Sequence, residues 1–433
     1  MKQVLAVLFM AIGLLLGGLG NGEAGISIGN APSLRWHRQI GYCRQPGVAD
    51  INGDNVLDLI IAAESGLVQA VSGSNGQAYW EFRASGGFSS SPAVADLNAD
   101  GILEIVLCSL NGRVYALSAR DGRVLWSFKG IASFTSSPLL CDVNGSGPPE
   151  VIAASGDGRV YALTGARGKV YWTQSLGGAI TSSPAAGDLD GDRKPEVVVA
   201  TATGAVDVLR GKDGARLYTQ NVEYFPLNSP LLADTNNDGR DDVIIAGKFV
   251  SAIGYDGRHW KRLWSFNPEG PAVCADPVLG DLTGDGVPEV IVSLSDGIVA
   301  SVRLRDGALL WKSKPIDRMG SQSSPIVCAS GNIMGIILAS SSGNLTALAG
   351  SDGGVVWQQF LAGRTDGCPV VADFDGDGIW EVGVGVESGD FFVYSTGLSG
   401  SVQWAKPRGD LFNSGNAAQA LAFARSVSAP VGR

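Results

Sequence analysis

The stretch "SSPAVADLNADGILEIVLCSLNGRVYALSARDGRVLWSFK", Ser90–Lys129, decides the fold. "SSPAVAD" reads as a strand of small residues leading into an acidic turn. Ile102 to Leu110 is almost wholly apolar, as a strand buried on both faces must be. Asn111-Gly112 is a hairpin turn, "RVYALSA" a third strand, Asp121-Gly122 a second turn and "RVLWSFK" a fourth strand. The unit is therefore four short antiparallel strands joined by tight turns.

Outward from this unit, the whole chain repeats it. The first acids of the turns are Asp50, Asp96, Asp142, Asp188, Asp234, Asp281 and Asp373, spaced 46, 46, 46, 46, 47 and then 92 residues apart. The last gap is two periods, and the missing copy falls near Cys328, where "CASGNIMGI" keeps the place and has no acid. A ladder of aromatics (Trp36, Trp80, Trp126, Trp172, Tyr218, Trp264, Trp311, Trp357, Trp404) and a ladder of prolines (Pro46, Pro92, Pro138, Pro184, Pro230, Pro277, Pro325, Pro369) follow the same period. One such unit is too thin to enclose a core, so it must stack on its neighbours. Eight units predict an all-β, eight-bladed β-propeller over residues 36–416. Closing the ring removes the exposed strand edges that an open solenoid would leave. Nine ladder aromatics for eight blades mean that the strand of Trp36 or that of Trp404 completes the last blade or lies beside it, tying the termini together.

With 45% hydrophobic residues in a chain of 433, a large core can be buried, and 61 glycines suit many turns. Residues 1–24, with Lys2 and the apolar run Val4 to Leu19, read as a secretory signal peptide cut after Ala24; an uncleaved anchor is the alternative. Residues 25–35 are then a linker and 417–433 a C-terminal tail. The expected location is secreted, periplasmic or cell-envelope, with no stable membrane insertion after cleavage, and the expected state is a monomer. Export invites a disulfide reading of the six cysteines. Against it, Cys108 and Cys141 stand mostly where other repeats carry Ala, and Cys368 stands where Ser91, Ser137 and Ser183 do. Cys43 and Cys274 share one repeat position in distant blades.

The acidic turns carry the chemistry. In "DFDGDGIWE", Asp373 to Glu381, the first, third, fifth and ninth places are all carboxylates, which repel one another unless a cation sits among them. An oxygen-only set at alternate positions around a glycine turn suits Ca²⁺, with Mg²⁺ disfavoured by its tighter octahedron. The candidate ligands in four further loops of full strength are Asp50, Asn52, Asp54 and Asp58; Asp96, Asn98, Asp100 and Glu104; Asp188, Asp190, Asp192 and Glu196; and Asp234, Asn236, Asp238 and Asp242. With Asp373, Asp375, Asp377 and Glu381 these make five. Asp281, Thr283, Asp285 and Glu289 form a sixth. Asp142, Asn144, Ser146 and Glu150, with two acids, form the weakest, so five to seven Ca²⁺ are expected. A single loop of this kind could equally be a polar turn; seven in one register point to ions. These places hold more than half of the 42 acidic residues, so the net charge of −10 reflects ion chemistry and says little about partners. No long basic run points to nucleic acid.

The acidic hairpins, with "SSP" before them and an apolar strand after, resemble the FG-GAP/VCBS repeats of integrin-α-like propellers. "ALSARDGRVLW" (Ala116 to Trp126) and "ALAGSDGGVVW" (Ala347 to Trp357) resemble the tryptophan-docking motif of quinoprotein (PQQ-like) propellers, with Ala116, Gly122 and Trp126 matching. The first resemblance implies calcium, and the second implies that the ladder Trp packs between neighbouring blades. Neither fixes a function, because such propellers host many activities. No catalytic or cofactor-binding residue is legible. A quinoprotein dehydrogenase would bring an adjacent-cysteine pair, which is missing, and a polysaccharide lyase a base near an acidic sugar. The two histidines, His37 and His259, lie beside aromatics of the outer strands. The expectation is a scaffold that binds an unknown protein or glycan, with a lyase-like or quinoprotein-like enzyme and a cell-envelope assembly factor, like the outer-membrane propeller lipoproteins, as alternatives. The connections between repeats, with Tyr42, Arg44, Phe88, Phe134, Tyr224, Phe225, Arg318, Arg364 and Asp366, are expected to ring the channel mouth. Arg408-Gly409-Asp410 is read as part of the terminal propeller segment and not as an integrin ligand.

Overall fold

The structure is a computed structural model that describes residues 31–222, 228–317, 323–330, 333–404, 410 and 413–416. The signal peptide, the tail 417–433 and the residues Tyr224, Phe225, Arg318, Arg408 and Gly409 lie outside the described residues.

Eight antiparallel sheets make an eight-bladed β-propeller, and no helix occurs among the described residues. Blade 1 consists of Gly47–Ala49, Asp58–Ala62, Leu67–Val71 and Ala78–Arg83, from the axis outward. Blade 2 runs from Ala93–Ala95 to Val124–Lys129, blade 3 from Leu139–Cys141 to Val170–Ser175, and blade 4 from Ala185–Gly187 to Arg216–Asn221. Blade 5 runs from Leu231–Ala233 to Trp260–Phe266, blade 6 from Val278–Gly280 to Leu309–Lys312, and blade 7 from Ile326–Ser330 to Val355–Phe360. In seven of the eight blades the innermost of the four repeat strands has only three residues, because the blades converge on the axis. The second strand is buried along its whole length, as in Glu104–Cys108, which is why it reads as a continuous apolar run. Each core cluster spans neighbouring blades; Val106 and Ala116 of blade 2, for example, pack with Val151 and Tyr161 of blade 3, and the largest runs through blades 5, 6 and 7.

Blade 8 takes Val370–Ala372, Glu381–Gly385 and Asp390–Ser395 from the end of the chain and its outer strand, Ser33–Gln39, from the beginning. The strand of Trp36 is therefore the one that closes the ring, and it begins at Ser33, inside the segment read as linker. The strand of Trp404 has a different place. Ser401–Trp404 pairs with Ile326–Ser330 and adds a fifth strand to the axial edge of blade 7. This explains the acid-free repeat: Ile326–Ser330 continues into a β-hairpin, Ser330 pairing with Ile333, where the other blades have an acidic loop.

The chain then enters the axis. Asn413 Nδ2 donates to the carbonyls of Ser91 and Pro138, Ala186 N–H donates to Ser414 O, Leu232 N–H to Gly415 O, and Asn416 Nδ2 to Asp241. Blades 2 to 5 are thus fastened to one terminal segment. Asp410 is buried and accepts from Ser414 N–H and its hydroxyl, so this aspartate is structural.

The tryptophan ladder joins blade to blade. Indole N–H groups of Trp36, Trp80, Trp126, Trp172 and Trp311 donate to Gly73, Ala119, Gly165, Gly211 and Gly350 carbonyls in the following blade at 2.7–2.8 Å. Each ring lies on a turn glycine of that blade, Gly122 for Trp80, where a Cβ would come within 2.5 Å of the indole. That contact, together with a φ of 71°, is why the turn before "RVLW" needs glycine.

The residues before the ladder prolines form a second belt. Ser91 N–H donates to Ser137 Oγ, Ser137 to Ser183, Ser183 to Ser229, Ser229 to Asp276 and Ser324 to Cys368 Sγ, each reaching the next blade. Cys368 thus works as an acceptor in a serine position. The six cysteines are free thiols, and burial pushes Cys43, Cys141 and Cys328 up to about 12.

Candidate metal centre

Seven loops between the first and second strands share one hydrogen-bond plan. The ninth-place acids Asp58, Glu104, Glu150, Glu196, Asp242, Glu289 and Glu381 open the second strands and are all at most 4% exposed. In each loop one oxygen of that carboxylate accepts the N–H of the second residue: Ile51, Leu97, Val143, Leu189, Thr235, Leu282 and Phe374, at 2.6–3.2 Å. The first-place aspartate holds the other side of the turn. Asp50, Asp96, Asp142, Asp188, Asp234, Asp281 and Asp373 accept the N–H of the sixth residue at 2.8–2.9 Å. Third-place Asn52, Asn98, Asn144, Asp190, Asn236 and Asp375 cap the fifth residue's N–H. Asp54, Asp100, Asp192, Asp238, Asp285 and Asp377 cap the seventh. Two residues depart from these layers: third-place Thr283 reaches Glu289 and caps no fifth-residue N–H, and fifth-place Ser146, lacking a carboxylate, does not cap the seventh.

The loops differ in what converges. Among the described residues, carboxylate oxygens come within 4.8 Å of one another in Asp188, Asp190 and Glu196, and again in Asp373, Asp375 and Glu381. These are the two loops with four acids. Where the third residue is Asn98 or Asn144, its amide donates to the ninth-place Glu104 or Glu150. In blade 1, the Tyr79 hydroxyl donates to Asp58 and accepts from Asn52, a contact that the spacing of acids did not foretell. In blade 5 the shorter Asp242 is held by the hydroxyl and N–H of Thr235.

Sequence reading also missed a cation. Arg35 of the closing strand lies against Asp375 at 2.5 Å and Asp377 at 3.0 Å, with its Nε 3.9 Å from Glu381 Oε1. The signal was a basic residue one place before the ladder Trp36. Even so, Glu381 Oε1 is buried without a hydrogen bond.

Such crowding raises the affinity of these acids for protons. Burial, then Asp375 and Asp377, push Glu381 up to about 8, with Phe374 N–H and Arg35 opposing. Burial and the three aspartates of its loop push Glu196 up to about 7, with Leu189 N–H opposing. Since the ordinary value is 4.5, the folded, metal-free chain holds protons that the unfolded chain has released. Its stability therefore falls as pH rises from about 4.5 to about 8 and levels off above. Thermal melts of chelated protein across this range check the sign; a melting temperature that climbs from pH 5 to 8 contradicts it.

The expected ring at the channel mouth is only partly formed. Phe88 and Phe134 are fully buried and pack edge-on against Tyr115 and Tyr161 between blades, a correction to their placement at the mouth. Arg44 pairs with Glu64 at 2.5 Å and lies 4.0 Å from Asp366, whose N–H donates to the Tyr42 hydroxyl. On the axis itself is a polar cavity of about 240 Å³ lined by Gln45, Ser137, Ser183, Ser229 and Asp276. His37 stacks on Phe392 at 5.7 Å, and His259 N–H donates to Asp256.

The repeats have known counterparts. The family model described as outer membrane protein assembly factor BamB matches residues 110–314 and 295–427, and an FG-GAP-like repeat matches residues 50–107. No curated protein matches the chain. Among solved structures, BamB from Moraxella catarrhalis aligns over 84% of this chain and 100% of its own, at 17% identity and a TM-score of 0.61. Saccharomyces cerevisiae Sqt1 aligns over 84% and 99%, at 9% identity and a TM-score of 0.64. The computationally designed Ika8 protein aligns over 83% and 99%, at 15% identity and a TM-score of 0.58. At these identities the likeness is one of fold, but the family model spans most of the sequence: the chain belongs to the propeller family described as outer membrane protein assembly factor BamB.

Proposed function

We propose that this chain is an exported, calcium-stabilised propeller that serves as a protein-binding scaffold in the cell envelope, on the side of outer-membrane protein assembly. The family match over residues 110–427 carries this reading. The terminal segment on the axis supports it, since it leaves the loop faces and outer strands as the surfaces for a partner. For the ion, the donor set is the support: seven oxygen-rich turns, two with converging carboxylates, and the buried Glu381 Oε1 without a hydrogen bond. Ca²⁺ would be held by the first-, third- and fifth-place side chains and the buried ninth-place acid, and would neutralise their mutual repulsion. Its role is structural, fixing the turns that carry each second strand.

Cross-linking of tagged protein in its native cells, followed by fractionation and identification of the adducts, tests the reading. A component of the outer-membrane assembly apparatus, recovered from the envelope fraction, is the expected result. Recovery of the protein only from the cytoplasmic fraction, free of envelope partners, would overturn it.

A further inference from the structure

The outer strands share an irregularity that acquires a role at one acidic loop. In all eight blades the pairing of the third and outer strands slips by one residue just before the ladder aromatic. The unpaired bulge residue is Leu in four blades, Tyr in two, Val in one and Arg35 in blade 8. A β-bulge re-aims a side chain, and here it aims at the acidic loop of its own blade. In blade 1 the Tyr79 hydroxyl reaches Asp58 at 3.0 Å. In blade 5 a Cβ on Gly254 would lie 2.2 Å from Asp242 Oδ1 and 2.9 Å from Leu263 Cδ1, so the bulge side chain and the ninth-place acid lean over the same spot. In blade 8 it is Arg35 that meets the acids.

The oxygens that Arg35 takes are the ones the turn leaves over. Asp375 Oδ1 accepts the N–H of Asp377, and Asp377 Oδ1 accepts that of Ile379. The Oδ2 atoms of both remain for a cation, and Arg35 Nη2 donates to each, at 2.5 and 3.0 Å. The guanidinium stops short of the ninth place: its Nε is 3.9 Å from Glu381 Oε1, the buried oxygen without a hydrogen bond. The other loop with converging carboxylates, in blade 4, carries the same four acids at the same places but has Leu217 at its bulge. Among the described residues its cation contact comes from Lys194 of the loop itself, 3.2 Å from Asp192 and with its side chain 69% exposed. Such a surface pair is worth little. Arg35, by contrast, is fixed by the strand that closes the ring.

We propose that the bulge residue of each outer strand sets the cation affinity of its blade's loop, and that Arg35 is a built-in counter-cation competing with a divalent ion for Asp375 and Asp377. The proposal rests on the ion reading of the loops. It makes blade 8 the weaker of the two four-acid sites and ties that site to ring closure. Calcium titrations of the whole mature chain against a competing chelator dye test it. Arg35→Leu, which installs the bulge residue of four other blades, should tighten one site about tenfold or more, the loss of a competing charge-assisted hydrogen bond. That gain should vanish in a Glu381→Gln background. Leu217→Arg, at a position 37% exposed, should import the effect and weaken the blade 4 site by a similar factor, with no change in a Glu196→Gln background. Were Arg35 only a structural contact, its removal would loosen the loop and weaken binding, the opposite sign. Calcium bound with unchanged or lower affinity by Arg35→Leu would overturn the proposal and leave the ion reading standing. Should that variant fail to fold, unchanged binding by Leu217→Arg would overturn it equally. A wild-type chain that binds no calcium would overturn the ion reading, and the proposal with it.

Discussion

Chelating calcium will lower the melting temperature of this protein more than any single side-chain substitution. The ninth-place carboxylates are placed by the second strands, so a complete donor set exists only in the folded ring. Ions that bind only the folded state stabilise it by mass action, about 2.7 kcal/mol for each site at a hundredfold excess over its dissociation constant. Five filled loops would then contribute on the order of 10 kcal/mol, comparable with the whole stability of an ordinary domain. Without ions, Glu196 and Glu381 must shed charge or endure repulsion, and the turns loosen at the base of each second strand. Calorimetry with millimolar calcium against excess chelator reads the effect directly, and magnesium should restore little of it. Superimposable melts with and without chelator would contradict this expectation.

The second large effect concerns closure. A mature chain shortened to begin at Ile40 lacks Ser33–Gln39, the outer strand of blade 8. The edge of Asp390–Ser395 would be left unpaired, a template for association with other chains. The indole bond from Trp36 to Gly73, which locks blade 8 onto blade 1, would go with it, as would the contacts of Arg35 with Asp375 and Asp377. Size-exclusion chromatography and thermal melts should show aggregation or loss of cooperative unfolding. Trp36→Ala alone should cost up to about 3 kcal/mol, the low end of the range for emptying a large aromatic site, because the ring is only partly buried. A shortened chain that stays monomeric and melts as the full one does would show that the ring is closed elsewhere.

Much of this architecture was legible because it repeats. The period of the acids, tryptophans and prolines gives the blade count, and the apolar run Ile102 to Leu110 identifies the doubly buried strand. What repeats poorly was opaque. Trp36 and Trp404 carry the same local signature, so sequence could not decide which closes the ring; the decision rests on Ile326–Ser330 having a free axial edge that Ser401–Trp404 fills. The axial segment around Asn413 has no alternation to betray it, because its polar groups satisfy backbone carbonyls of several blades. Phe88 and Phe134 looked like surface aromatics on loops, yet the loops turn them inward onto Tyr115 and Tyr161. The acidic loops were readable as donor sets, whereas Tyr79 and Arg35 entered two of them from other strands, a tertiary effect that spacing cannot carry. The serine belt was visible as "SSP", but its meaning needed the next blade.

Counting bound ions tests the central claim most directly. After equilibrium dialysis of the pure mature protein against micromolar calcium, elemental analysis of protein and dialysate gives the number held per chain. Five to seven ions, released by chelator and lost loop by loop in Glu104→Gln, Glu196→Gln and Glu381→Gln variants, is the predicted result. A stoichiometry of zero, or one unaffected by these substitutions, would mean that the acidic hairpins are stabilised by their own hydrogen bonds alone.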